Sequence, residues 1–277
     1  MKHYYLESLI IVCALICSCT TLPKEKLYQF KLDYNVEERN DSIIMSINNT
    51  LHCPLQFSIK YDGQQIDSLL GISTPSILLP FQDTQLVISP EFSKEDIKPN
   101  ISITFGDPGA EIHADGFTLP FPKGKQYKII QAYHGSFSHN TDYSRYAIDF
   151  NTQVGDTVCA AANGYVIGVI EDYKHGGNNR KWRPYSNFLT LYHPEQKLYT
   201  QYVHLDHKGI LVELGDTVSA GQAVGISGLT GFTDVEHLHF NVLRPIKLEM
   251  IGIPVSFKGG LKGEDLKPNH TVRHPEN

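Results

Sequence analysis

Val154-Gly155-Asp156-Thr157-Val158 returns sixty residues later as Leu214-Gly215-Asp216-Thr217-Val218. Each copy runs on through alanine-bearing residues to another glycine, Gly164 or Gly221. Two related strand-turn-strand units in one stretch of chain predict a duplicated, all-β architecture. Downstream, His237-Leu238-His239-Phe240-Asn241-Val242 alternates as a strand. Period two puts His237 and His239 on one face and turns Leu238, Phe240 and Val242 to a core.

Outward from this segment the chain remains strand-like. Phe30-Leu32-Tyr34-Val36, Leu55-Phe57-Ile59-Tyr61 and Ile101-Ile103-Phe105 alternate with other residues, and Asn48-Asn49, Asp62-Gly63 and Asp107-Pro108-Gly109 mark turns between them. These predict an N-terminal β-sandwich-like domain over 30–110, without a cluster of catalytic residue types, and a second β domain over 111–260. Residues 261–277 read as a C-terminal tail. The 277 residues are 41% apolar and 19% charged, which suits a folded chain of about two domains. Lys and Arg number 24 against 30 Asp and Glu, a net charge of -6 that argues against a general nucleic-acid binder.

The first residues read as an address. Lys2 precedes an unbroken apolar run from Leu9 to Ile16, too short to span a bilayer. The run ends in Ile16-Cys17-Ser18-Cys19, which resembles a bacterial lipoprotein signal. Residues 1–18 are then the signal peptide, Cys19 the lipidated membrane anchor and 19–29 a tether, with the protein held in the cell envelope, on the periplasmic face of the outer membrane. Cleavage leaves Cys53 and Cys159 as the remaining thiols. An exported context permits a disulfide, but two isolated buried thiols are the expectation.

The chemistry gathers on histidines. Tyr202-Val203-His204-Leu205 reads as another strand, with Tyr202 and His204 on a common face. Tyr146-Ala147-Ile148-Asp149-Phe150 places one carboxylate inside an apolar strand, where it needs a cation, a hydrogen-bond network or a metal. His139 precedes it. Two imidazoles and a carboxylate leave one position open on tetrahedral zinc.

Taken in order, Ser138-His139, Tyr146 to Phe150, Gly155 to Val158, Tyr202 to Leu205, Gly221-Gln222, Gly225 to Gly231 and His237 to Phe240 resemble the lysostaphin-type, LytM-like zinc metallopeptidases of bacterial cell walls. The resemblance runs from Leu119 to about Phe257. It implies a duplicated β-sheet peptidase domain that binds one Zn2+ through His139, Asp149 and His239, with His204 and His237 as unligated catalytic histidines. It further implies hydrolysis of peptide cross-links in peptidoglycan. Either catalytic histidine could take a proton from water while the other meets the oxyanion or protonates the leaving amine. No His-Glu-x-x-His segment is present to supply a glutamate base.

Two departures stand out. The family commonly has three residues between its first histidine and the aspartate; here nine intervene, so 140–145 reads as a lengthened loop and Asp142 as the rival ligand. Thr233-Asp234-Val235-Glu236 replaces small residues and a proline, and Glu236 could alter substrate choice or hydrogen-bond a histidine. His134 is expected to line the groove or pack, His193 to end a strand, and His175, His207, His270 and His274 to be exposed. The cationic stretch Glu171 to Tyr185 reads equally as a groove-flanking loop or a solvated hairpin. Two other classes compete with the enzyme. A silent relative that regulates another wall hydrolase usually lacks ligands that this chain keeps. A biotin or lipoyl carrier needs a hairpin lysine that is not evident.

Overall fold

The computed structural model describes residues 21–39, 42–61, 64–65, 76–88 and 100–276. The apolar run, Cys19 and the Asp62-Gly63 turn lie outside the described residues. The described chain is almost entirely strand and turn, with short 3-10 turns as its helical content.

Two small sheets form the N-terminal half. One joins Asp33–Arg39, Ser42–Asn48 and Asp83–Ile88; the other pairs Leu55–Tyr61 with Gln64–Gln65, Ser76–Leu78 and Asn100–Phe105. Phe30 and Leu32, read as part of the first strand, precede it. The Ser42–Asn48 strand escaped the period-two reading because Ile43-Ile44-Met45 is a continuous apolar run that hides its alternation. Met45 and Ile47 nevertheless lie in the core with Leu55, Phe57 and Leu78.

The C-terminal half is built on a nine-stranded sheet. Its order is Thr217–Val218, Gly164–Ile170, Phe188–His193, Leu198–Val203, Leu238–Ile246, Ile148–Phe150, Gln126–Gln131 and Thr271–Arg273, with Glu249–Gly252 added beside Leu238–Ile246. A three-stranded sheet of Thr157–Cys159, Ala223–Ser227 and Leu205–Ile210 accompanies it.

The repeated pentapeptides build the same turn twice. Asp156 N–H donates to the Gln153 carbonyl and Asp216 N–H to that of Glu213. Each Asp side chain accepts the N–H three residues before it, at 2.7 and 2.8 Å. Gly155 and Gly215 both stand at φ 95°, a conformation that glycine reaches without a Cβ penalty. The strands then cross over. Thr157–Cys159, after the first turn, pairs with Ala223–Ser227, which follows the second. Thr217–Val218, after the second, pairs with Gly164–Ile170, which follows the first.

The large sheet is covered on both faces. Leu189, Leu191, Tyr202, Leu238, Phe240 and Val242 enter one core. From the opposite face Ile167, Tyr192, Tyr199 and Leu243 join the N-terminal core. Gln56 Nε2 and Thr104 Oγ1 add hydrogen bonds to the carbonyls of Ile246 and Leu248. Cys53 and Cys159 are free and buried. Of residues 261–277, read as a tail, the described 261–276 are docked: Leu266 and Val272 enter the core, and Thr271–Arg273 pairs with Gln126–Gln131. His274 is buried rather than exposed, giving Nδ1–H to the Phe121 carbonyl at 2.6 Å. Polar neighbours in sequence conceal this docking because it is made by backbone pairing.

Candidate metal centre and groove

Register assembles the site. Asp149 lies opposite His239 on one side and Gln131 on the other, and His239 lies opposite Val203. Cross-strand neighbours on one face sit about 5 Å apart, so one row of the sheet presents the carboxylate beside the imidazole. Along Leu238–Ile246 the face alternates as the sequence predicts. Leu238, Phe240 and Val242 go to the core, while His239 faces the groove and Leu243 meets the N-terminal core.

His139 reaches the same point from the loop after Gln126–Gln131. His139 Nε2 lies 3.1 Å from Asp149 Oδ1 and 3.2 Å from His239 Nδ1; His239 Nδ1 lies 2.9 Å from Asp149 Oδ1. Among the described residues these three form the cluster able to hold a metal ion. Asp142 stays outside it. Its carboxylate points to solvent and pairs with Arg145 Nη1 at 3.2 Å.

Three of the four site histidines are fixed in the same sense. His139 gives Nδ1–H to the Ala132 carbonyl at 2.8 Å, His204 to that of Thr230 at 2.7 Å and His237 to that of Val235 at 2.9 Å. The donor nitrogen is thereby committed, and Nε2 becomes the lone-pair nitrogen. His239 is turned the other way, with Nδ1 toward Asp149. The rings of His204 and His237 lie 4.6 Å apart, and His237 Nε2 is 3.8 Å from Asp149 Oδ1.

This arrangement corrects one face assignment. Tyr202 is in the core against Phe240, whereas His204 lines the groove beside Val203 and His239. The strand ends at Val203, and His204 stands at φ 66°, which breaks the alternation.

Burial shapes the charges. It would raise the Asp149 pKa, but the histidines 237, 139 and 239 around the carboxylate outweigh it and hold the value well below the ordinary range. Burial, then the neighbouring His237 and His239, holds His204 well below an ordinary histidine. Burial also lowers His239 despite the attraction of Asp149, whereas at His139 burial is outweighed by the attraction and hydrogen bond of Asp149 together with the Ala132 carbonyl, and the value rises.

Gln131 is a site residue that the sequence reading missed. Its Nε2 lies 2.8 Å from Asp149 Oδ2 and 2.7 Å from Ser138 Oγ, so it holds the carboxylate oxygen turned away from the histidines. Its one sequence signal is a polar residue ending the run Ile129-Ile130. Thr230 also supports the site. Its carbonyl accepts the hydrogen bond from His204 Nδ1–H while its hydroxyl donates to the Leu205 carbonyl and accepts from Asn187 N–H.

Glu236 does not meet a histidine: its carboxylate accepts Val154 N–H at 3.3 Å. His134 is exposed, edge-on to Tyr146. His193 ends its strand, and His175 and His270 are exposed, while His207 is half-buried. The stretch Glu171 to Tyr185 flanks the groove. Gly176–Gly177 pairs with Gly231–Phe232, and Arg180–Tyr185 makes a 3-10 turn with Trp182 buried. Gly231 stands at φ 81° against Ser186, with no room for a Cβ.

Residues 143–249 match the family model described as Peptidase family M23. The peptidoglycan DD-endopeptidase ShyB of Vibrio cholerae is 34% identical over 112 residues, which are 39% of this chain and 23% of that protein. Lysostaphin of Staphylococcus simulans is 32% identical over 95 residues, 34% of this chain and 17% of that one. The chain thus spans less than a quarter of the length of these two relatives. Among solved structures, lysostaphin aligns at 28% identity over 43% of this chain and 42% of its own, with a TM-score of 0.33. A zinc-containing peptidase from Vibrio cholerae aligns at 20% identity over 77% of this chain and 56% of its own, with a TM-score of 0.36.

Proposed function

We propose that this chain, whose residues 143–249 match the Peptidase family M23 model, is a zinc metalloendopeptidase that hydrolyses peptide cross-links of bacterial peptidoglycan. The observation that carries this reading is the convergence of His139 Nε2, His239 Nδ1 and Asp149 Oδ1 at about 3 Å. With its Nδ1–H given to Ala132, His139 turns a lone pair toward a carboxylate oxygen. Two acceptors so placed in a buried site call for a shared cation. Two imidazole nitrogens and one carboxylate oxygen fit a zinc that keeps one position open.

When bound, zinc supplies Lewis acidity to a carbonyl oxygen and acidifies water. The chain supplies the rest. His204 and His237 each offer an Nε2 to the groove, steadied by a carbonyl behind the ring, and divide the proton work between accepting from water and giving to the leaving amine. Gln131 keeps Asp149 in orientation. The cationic wall at Arg183 and the rings of Phe137 and Phe232 bound the peptide path.

The lipoprotein reading of Cys19 belongs to the same proposal, because it puts the enzyme in the envelope on the outer membrane's periplasmic face. Mass spectrometry of the native N-terminus tests the anchor; an unmodified chain beginning elsewhere removes it. The activity is tested by zinc content and by digestion of purified peptidoglycan. One zinc per chain and chelator-sensitive release of muropeptides are expected. A zinc-free chain, or intact sacculi, overturns the reading.

A further inference from the structure

The groove is electrically uneven. Its half beside His204 and His239 is a cleft of about 220 Å³, and Arg183 is the one fixed charge among its lining residues. The half beside His237, of about 200 Å³, is lined by Asp149 and Asp234. Phe232 borders both halves and stacks on Phe137 at 4.9 Å between ring centroids.

Arg183 is presented on an anchored turn. Trp182, its neighbour, is buried; Asn179 caps the turn by accepting Lys181 N–H; and the preceding Gly176–Gly177 strand is hydrogen-bonded to Gly231–Phe232. The guanidinium lies 5.5 Å from the Phe232 ring centroid, a cation–π contact that leaves its N–H groups free, and among the described residues no ion pair engages it. Five donors in a planar fork suit a carboxylate better than any neutral group. Across Phe232, Asp234 repels the same anion.

We propose that Arg183 is a specificity-determining residue that binds a free carboxylate of the substrate peptide, fixing the peptide's direction across the metal centre with that carboxylate in the His204 half of the groove. This deepens the peptidoglycan-peptidase reading and rests on it.

The test uses the full chain and a cross-linked dimeric muropeptide, native or with its free carboxyl groups converted to amides. Wild type should favour the native dimer by about tenfold or more in kcat/KM, mainly through KM, as a charge-assisted contact at the groove wall permits. Arg183→Gln should lose that preference. Arg180→Gln, in the same turn but outside the groove lining, should keep it. Equal kcat/KM for both dimers in wild type, or a preference that survives in Arg183→Gln, overturns the inference while leaving the peptidase reading intact. If neither dimer is cleaved, the peptidase reading falls, and binding of the two dimers decides. Tighter binding of the native dimer that Arg183→Gln abolishes still supports the carboxylate site; equal binding ends it.

Discussion

His193 and His204 begin alike and end differently. Each is buried, each sits at the end of a strand, and each gives Nδ1–H to a carbonyl, that of Asn163 or of Thr230. At His193 the second nitrogen meets the Thr200 hydroxyl at 2.8 Å, and that hydroxyl also faces Tyr202 Oη at 3.0 Å. The ring is satisfied, and burial, only partly opposed by the Asn163 carbonyl, lowers its pKa to about 4. At His204, among the described residues, no hydroxyl closes the circuit: the ring faces His237 at 4.6 Å and His239 at 6.1 Å. Burial therefore does not separate the packed His193 from the groove-lining His204. The partner of the second nitrogen does.

The comparison breaks most visibly at His239. His239→Ala should lose zinc and activity together, while His193→Gln keeps both; metal analysis and muropeptide release read the two outcomes. If His237→Ala loses zinc and His239→Ala retains it, those two histidines exchange roles. Next in size is His204→Ala, which should keep zinc and lose about 10²–10⁴-fold in rate. Loss of zinc in that variant would move His204 among the ligands.

At His193 the expected effect is on stability. Its folded pKa lies near 4, below the ordinary 6.5. The unfolded chain thus binds the extra proton first, and the stability carried by the neutral ring is complete above about pH 6.5. It is lost as pH falls toward 4, by about 3 kcal/mol at the lower limit. Denaturant midpoints measured from pH 7 to 4 should fall less steeply in His193→Gln; parallel slopes would contradict the assignment. The smallest effect belongs to Gln131, whose contact with Asp149 is to the oxygen turned away from the histidines. Gln131→Ala should weaken zinc binding by about 10-fold, read by competition with a chelating dye. Unchanged affinity would make its contact with Asp149 incidental.

What the sequence discloses depends on whether local pattern and tertiary structure say the same thing. Leu238 to Val242 is legible because alternation leaves His239 one face and the core the other. Asp149 is legible because a lone carboxylate among Ile148 and Phe150 demands a partner. The facing of His204 is not, since a left-handed residue ends the alternation there. Nor is Gln131, whose importance comes from register with Asp149 across two strands. The 171–185 stretch is ambiguous because charge balance does not reveal that Trp182 turns inward and Arg183 outward. His274 is hidden because what buries it is a strand pairing 147 residues away in sequence, between Arg273 and Gln126.

The exchange of strands between the two repeated turns bears on how the protein reaches this shape. Neither Thr157–Cys159 nor Thr217–Val218 finds its partner within its own copy. A nascent chain that has emerged only as far as Gly209 holds the first turn without the edge that receives it. Closing such distant pairings costs loop entropy before any contact repays it, which makes the search slow. It also makes the result indivisible: a cut between the copies leaves Thr157–Cys159 and Thr217–Val218 each on a different fragment from its hydrogen-bonded partner.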